Sequence, residues 1–219
     1  ATAVPTLPNG KKRHHRQSNR QPAHVSFYAW FLQPSSASQL VQLAQAFVNS
    51  VALTTGLDRN ANLTPSSSTL LHITAKYCGK CDAQSYTERS EVAASIGRSF
   101  DIRLTGLLLR PGSSLVARAE LSPSQLALWD NEPTKSEMPS GKSLPRASRA
   151  HVTLATAPGV RPSQAGFDLL DALAILQSSS SASPSSVPGG GHVSWLSGGR
   201  VYLTLAKPLT VAAVFDAHS

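Results

Sequence analysis

Two short segments with the same pattern constrain this chain more than anything else in it; their histidines, His72 and His151, stand 79 positions apart. Leu70-Leu71-His72-Ile73-Thr74-Ala75-Lys76-Tyr77 and Ser148-Arg149-Ala150-His151-Val152-Thr153-Leu154 both alternate apolar and polar residues, as a half-buried strand does. Leu71, Ile73 and Ala75 then enter a core, and so do Ala150, Val152 and Leu154. His72 and Thr74 share the other face of one strand, and His151 and Thr153 that of the second, roughly 6 to 7 Å apart along each strand. We read the two strands as facing each other across one cleft.

The remaining pattern places these strands in an α+β fold. His24 to Leu32 is aromatic and β-prone and stops at Pro34. Leu40, Leu43, Ala44, Phe47, Val48 and Val51 recur at the spacing of one helical face, with Ser35, Ser36 or Ser38 as candidate caps. Ser85-Tyr86-Thr87-Glu88 has the form of a capping box, and Val92 and Ile96 extend that stripe to about Gly97. Phe100 to Leu109 and Leu115 to Leu121, joined by Pro111-Gly112, read as a hairpin; Ser122-Pro123 opens a short helix ending near Trp129. After the second motif a helix runs from about Ser163 to Gln177. Residues 178 to 191 are almost all Ser, Ala, Pro and Gly and read as a flexible loop ending at His192. Val201 to Leu205 and Leu209 to Phe215 read as two closing strands separated by Lys207-Pro208. The expected architecture is two-lobed, mostly antiparallel sheets with flanking helices and a pseudo-twofold central cleft.

Composition narrows the setting. Of the net charge of +8, five units lie in Lys11, Lys12, Arg13, Arg16 and Arg20, leaving 15 basic against 12 acidic residues elsewhere. We read residues 1 to 22 as a flexible basic tail and 23 to 219 as one domain, suited to an anionic ligand and expected to be a monomer. No apolar run approaches the roughly 20 residues needed to span a bilayer. With Cys78 and Cys81 the only cysteines and no leader-like segment, a reducing, cytoplasmic setting fits. That pair reads as two reduced thiols, and Ser140-Gly141-Lys142-Ser143 as linker. No acidic cluster suggests a divalent metal, and no cofactor is expected.

Spacing alone discriminates poorly, because His24, His72, His151 and His192 all have Ser or Thr two positions later. His72 and His151 stand out because each lies in a clean alternating strand followed by a helix. A facing pair of imidazoles suits phosphodiester hydrolysis: one takes a proton from attacking water while the other protonates the departing oxygen. Each transfer contributes typically about 10² to 10⁴ in rate. The two threonine hydroxyls can donate to the non-bridging oxygens. A strained 2′,3′-cyclic phosphate needs no metal for this.

These motifs resemble those of the 2H phosphoesterase superfamily. The run from Ser148 to Leu154, then Val160, Pro162 and Gly166-Phe167-Asp168-Leu169-Leu170-Asp171, resembles the catalytic domains of the vertebrate myelin 2′,3′-cyclic-nucleotide 3′-phosphodiesterase family; the resemblance runs in order through residues 24 to 217. It implies hydrolysis of nucleoside 2′,3′-cyclic phosphates to 2′-phosphates, with His151 as base, His72 as acid, and Thr74 and Thr153 on the phosphate. It also implies that Tyr77 and Pro162 flank the base, that Arg149 lies near the site, and that Phe27 or Tyr28 borders the nucleotide pocket. Action on RNA ends or 2′–5′ oligonucleotides uses the same residues. An RNA-binding or scaffold role is the rival outside enzymes. Full-length family members add a kinase-like domain and a lipidation motif that attaches them to membrane. Neither is in this sequence, which therefore reads as a catalytic fragment.

Overall fold

The computed structural model describes residues 25–55, 64–65, 70–79, 83–139, 142–178, 185–187 and 191–219. The basic tail, His24, Cys81, Ser140-Gly141 and most of the Ser/Gly-rich stretch lie outside the described residues.

The chain opens with β1 (Phe27–Leu32) and α1 (Pro34–Thr55), followed by β2 (Thr64–Pro65), the first motif strand β3 (His72–Tyr77), α2 (Ala83–Thr87) and α3 (Ser90–Ala93). The hairpin β4 (Ser99–Arg110) and β5 (Ser114–Glu120) comes next, then α4 (Pro123–Leu128), the second motif strand β6 (His151–Thr156) and α5 (Pro162–Ser178). β7 (Ser185–Val187), β8 (Gly191–Leu196) and β9 (Arg200–His218) complete it.

Among the described residues the strands form one antiparallel sheet in the order β2-β6-β5-β4-β9-β1-β3, with β8 on β9 and β7 on β8. Two lobes are visible within it, because β4 and β9 serve both. Ser99 to Leu104 pairs with Leu209 to Val214 beside β1 and β3, and Gly106 to Leu109 pairs with Val201 to Thr204 beside β5, β6 and β8. Between the halves, four residues of β9 stand opposite Thr105, so the ladder bulges there. Pro208 lies in that bulge, where its missing N–H breaks no pairing. This is why Lys207-Pro208 does not divide the closing segment into the two strands expected, and β9 runs unbroken for 19 residues. Gly106 is required beside it: a Cβ would lie 2.5 Å from Tyr202 Oη and 2.7 Å from Leu203 O.

The alternation of both motif strands is as expected. Ile73, Ala75, Ala150, Val152 and Leu154 are buried in the main core with Trp30, Leu104, Leu107, Phe215 and the Leu40, Ala44, Phe47, Val51 stripe of α1. On the other face α5 covers the second lobe, with Ala165, Leu169 and Leu173 against Leu108, Val116 and Tyr202. Burial on this scale, at about 25 cal/mol per Å² of apolar surface, is what holds the two lobes as one body.

Four local expectations are corrected. Pro34 is the first residue of α1, so Ser35, Ser36 and Ser38 lie within the helix rather than capping it; Ser36 Oγ instead accepts a hydrogen bond from Ala212 N at 2.9 Å. Ser85 is likewise inside α2, and the chain is extended at Arg89, whose guanidinium is held by Glu91 and the Ala127 carbonyl, so two short helices replace one. Ile96 is accordingly exposed. Finally, the Ser/Gly stretch contains β7, and His192 is an exposed residue of β8 paired with Thr204 rather than part of a loop.

Candidate active site

β3 and β6 approach each other but share no ladder. The loop after α4 takes up the edge of β3 that β1 leaves free: Asp130 N donates to Ala75 O at 2.9 Å and Asn131 Nδ2 to Thr74 O at 3.4 Å. The same loop reaches the second motif, where Glu132 accepts from Ala147 N at 2.9 Å. Its carboxylates also hold the cations flanking the motifs, Lys76 at 2.8 Å from Asp130 and Arg149 at 3.9 Å from Glu137. In the sequence only Ser140 to Ser143 of this segment drew a reading, as linker, and its part in joining the two motif strands was missed.

The histidines are held alike. His72 Nδ1 lies 2.8 Å from Leu70 O, and His151 Nδ1 lies 2.6 Å from Arg149 O, each the carbonyl two residues earlier. A carbonyl only accepts, so Nδ1 carries the proton in both rings and Nε2 is the chemically available nitrogen. Thr74 and Thr153 are half-buried on the same face as their histidines. Burial pushes His151 down to about 4, helped by the charges of Arg149 and His72. Burial lowers His72 too, against its bond to Leu70, and His218 lowers it further.

The surroundings of the two differ. Phe27 stacks on His72 with centroids 5.0 Å apart, and Phe31 lies 5.6 Å away. The two phenylalanine rings lie 6.2 Å apart, on either side of Ala29 in the sequence of β1. Tyr28, on the alternate side of β1, is buried in the core against Tyr86 and Phe215 and bonds Thr87. Of the two candidates for the pocket border, Phe27 is therefore the one beside a motif histidine. His218, absent from the sequence reading, stacks on the far side of Phe27 at 4.7 Å; strand pairing between Phe27 and His218 brings it there.

Around His151 the neighbours are α5 and Arg149. A Cβ on Gly166 would lie 3.0 Å from His151 Cε1 and 2.9 Å from Arg149 Nε, so glycine lets the helix close on both. Arg149 is only 12% exposed and its guanidinium lies 4.5 Å over the Phe167 ring. Asp168, fully buried, ties α5 to the β4–β5 turn through Arg110, Ser113 and Ser114. Pro162 is exposed as the first residue of α5. Tyr77, 67% exposed, ends β3 opposite Phe27, beyond the register shift between Tyr28 and Ala29. Cys78 is buried beside it. Among the described residues no group of three or more His, Cys, Asp and Glu side chains is gathered as a metal site.

Two His-Φ-Thr strands brought together in an α+β fold of one antiparallel sheet with flanking helices define the 2H phosphoesterase class. Within it, the family model for 2′,3′-cyclic nucleotide 3′-phosphodiesterase (CNP or CNPase) matches residues 56–219, and the chain belongs to that family. The 2′,3′-cyclic-nucleotide 3′-phosphodiesterases of Rattus norvegicus and Pongo abelii are each 35% identical to it over 152 residues, or 68% of this chain. Those residues make up 36% of the rat protein and 35% of the orangutan protein, so the chain spans about a third of these relatives. Among solved structures, a fungal RNA kinase superposes with a TM-score of 0.46 at 11% identity, over 92% of this chain and 47% of that one.

Proposed function

We propose that this chain hydrolyses nucleoside 2′,3′-cyclic phosphates to 2′-phosphates by acid–base catalysis from two histidines. The observation that carries the reading is the shared locking of His72 and His151: each Nδ1 bonds the carbonyl two residues back, leaving both Nε2 atoms available beside a threonine. His151, kept neutral by burial and by the cation of Arg149, takes a proton from water as its oxygen attacks phosphorus. The bond from phosphorus to O3′ breaks, and His72 Nε2–H delivers its proton to that oxygen. The negative substrate favours the protonated form of His72, offsetting the effect of burial. Thr74 and Thr153 donate to the non-bridging oxygens as charge builds there. Phe27 borders the nucleotide beside His72, Arg149 supports the His151 side, and Tyr77 and Pro162 flank the base.

His72→Ala and His151→Ala are each expected to lower turnover of a 2′,3′-cyclic nucleotide by at least about 10³-fold, with folding retained by circular dichroism. Wild-type turnover in either variant, or a 3′-phosphate product, overturns the reading. The same residues serve a cyclic phosphate at an RNA end; comparing mononucleotide with oligonucleotide kcat/KM identifies the better substrate.

A further inference from the structure

Three histidines, not two, meet at this site, and the third has a defined relation to only one of the others. The Phe27 ring lies between His72 and His218, with centroid separations of 5.0 and 4.7 Å and interplanar angles of 23° and 8°. Phe31 closes the group, 5.6 Å from His72 and 6.2 Å from His218. β9, β1 and β3 are consecutive in the sheet, so the stack is built from three neighbouring strands. His218 is exposed, whereas His72 is half-buried.

We propose that His218 is a positioning residue for His72: it clamps the Phe27 ring from the outer side, and its own charge state governs how readily His72 delivers a proton. This rests on the assignment of His72 as the acid. A hydrocarbon ring fills the space between the two imidazoles, so their charges interact with less screening than through water. The interaction has the expected sign, since His218 lowers His72. The other titratable groups around the stack are few, and His151 on β6 is the one that interacts with His72 from the opposite motif strand. Asp216 lies two residues back on the same strand, Arg98 precedes β4, Tyr77 is opposite Phe27 at the end of β3, and Lys76 is tied to Asp130. None stands between the two imidazoles.

His218→Phe keeps a ring on Phe27 and removes the charge; His218→Ala removes both. The profile of kcat for a 2′,3′-cyclic nucleotide, taken from about pH 5 to about pH 9, is expected to have its alkaline limb at higher pH in His218→Phe than in wild type, because His72 holds its proton longer. His218→Ala is expected to show the same displacement and, in addition, roughly a 3- to 10-fold loss of kcat with little change in KM, from the loosened Phe27. Proton NMR titration of the His72 ring in wild type and His218→Phe reads the coupling without any turnover. A higher midpoint in the variant supports the proposal even if no cyclic nucleotide is hydrolysed, which would instead sink the proposed activity. Superimposable His72 titrations, or His218→Phe and His218→Ala profiles that both overlay wild type, overturn it.

Discussion

The two motif strands use the same local device in unlike surroundings. On β3, His72 sits among Phe27, Phe31 and His218, all supplied by neighbouring strands. On β6, His151 sits beneath the start of a helix, against Gly166 and the guanidinium of Arg149. The backbone bond to Nδ1 fixes which nitrogen is available and is common to both. What surrounds the ring decides whether it holds a proton, and that is not common. A permanent cation beside His151 disfavours its imidazolium at every working pH, whereas the neighbour of His72 is itself titratable. Repetition of a short motif thus creates two equivalent tools, and tertiary packing makes them different.

The sharpest way to break the comparison is on the helix side. Gly166→Ala places a methyl about 3.0 Å from His151 Cε1 and 2.9 Å from Arg149 Nε, so α5 or the imidazole must give way. α5 is anchored by the buried Asp168, so we expect His151 to move and kcat to fall by about 10²-fold while the melting temperature changes little. Activity within about twofold of wild type would mean that the helix shifts freely and does not position His151. The corresponding change on the other strand is milder. Phe27→Ala frees His72 from its stack but leaves the Leu70 bond, so roughly a 10-fold loss of kcat is expected, with about 1 to 3 kcal/mol of stability lost in urea melts. A loss larger than that of Gly166→Ala would show that the strand side is the less tolerant one.

Much of the candidate site was legible because its determinants are local. Period-two alternation placed His72, Thr74, His151 and Thr153 on the faces turned away from the core, and the apolar residues between them on buried ones. The helix stripe of α1 and the Ser122-Pro123 start of α4 were legible for the same reason. What escaped depends on pairing between distant segments. Phe27 and Tyr28 are both aromatic, and only the register of β1 against β3 and β9 decides which ring meets His72. His218 lies 146 positions from His72 and has no motif of its own. His192 was misread because its Gly-rich approach resembles a linker, yet β8 finds β9 as a partner. Pro208 looked like a strand break because nothing local signals that its position faces a bulge.

The smallest effect is also the most direct measure of the asymmetry. Burial and Arg149 hold His151 at about 4 in the folded protein, below its ordinary 6.5, so between those values the unfolded chain binds more protons at this position. Stability contributed by neutral His151 is therefore complete above about pH 6.5 and is lost as the pH falls toward 4. From pH 7.5 to pH 5 this amounts to on the order of 1 to 2 kcal/mol, allowing for partial exposure of the ring. His72 is lowered as well and adds a loss of the same sign. Urea melts at the two pH values compare the pair: His151→Gln should flatten the pH dependence more than His72→Gln, because only His151 carries a fixed cation at its side. Equal flattening would place the two imidazoles in equivalent electrostatic environments, and the division of labour between base and acid would then have to come from the bound substrate rather than from the fold.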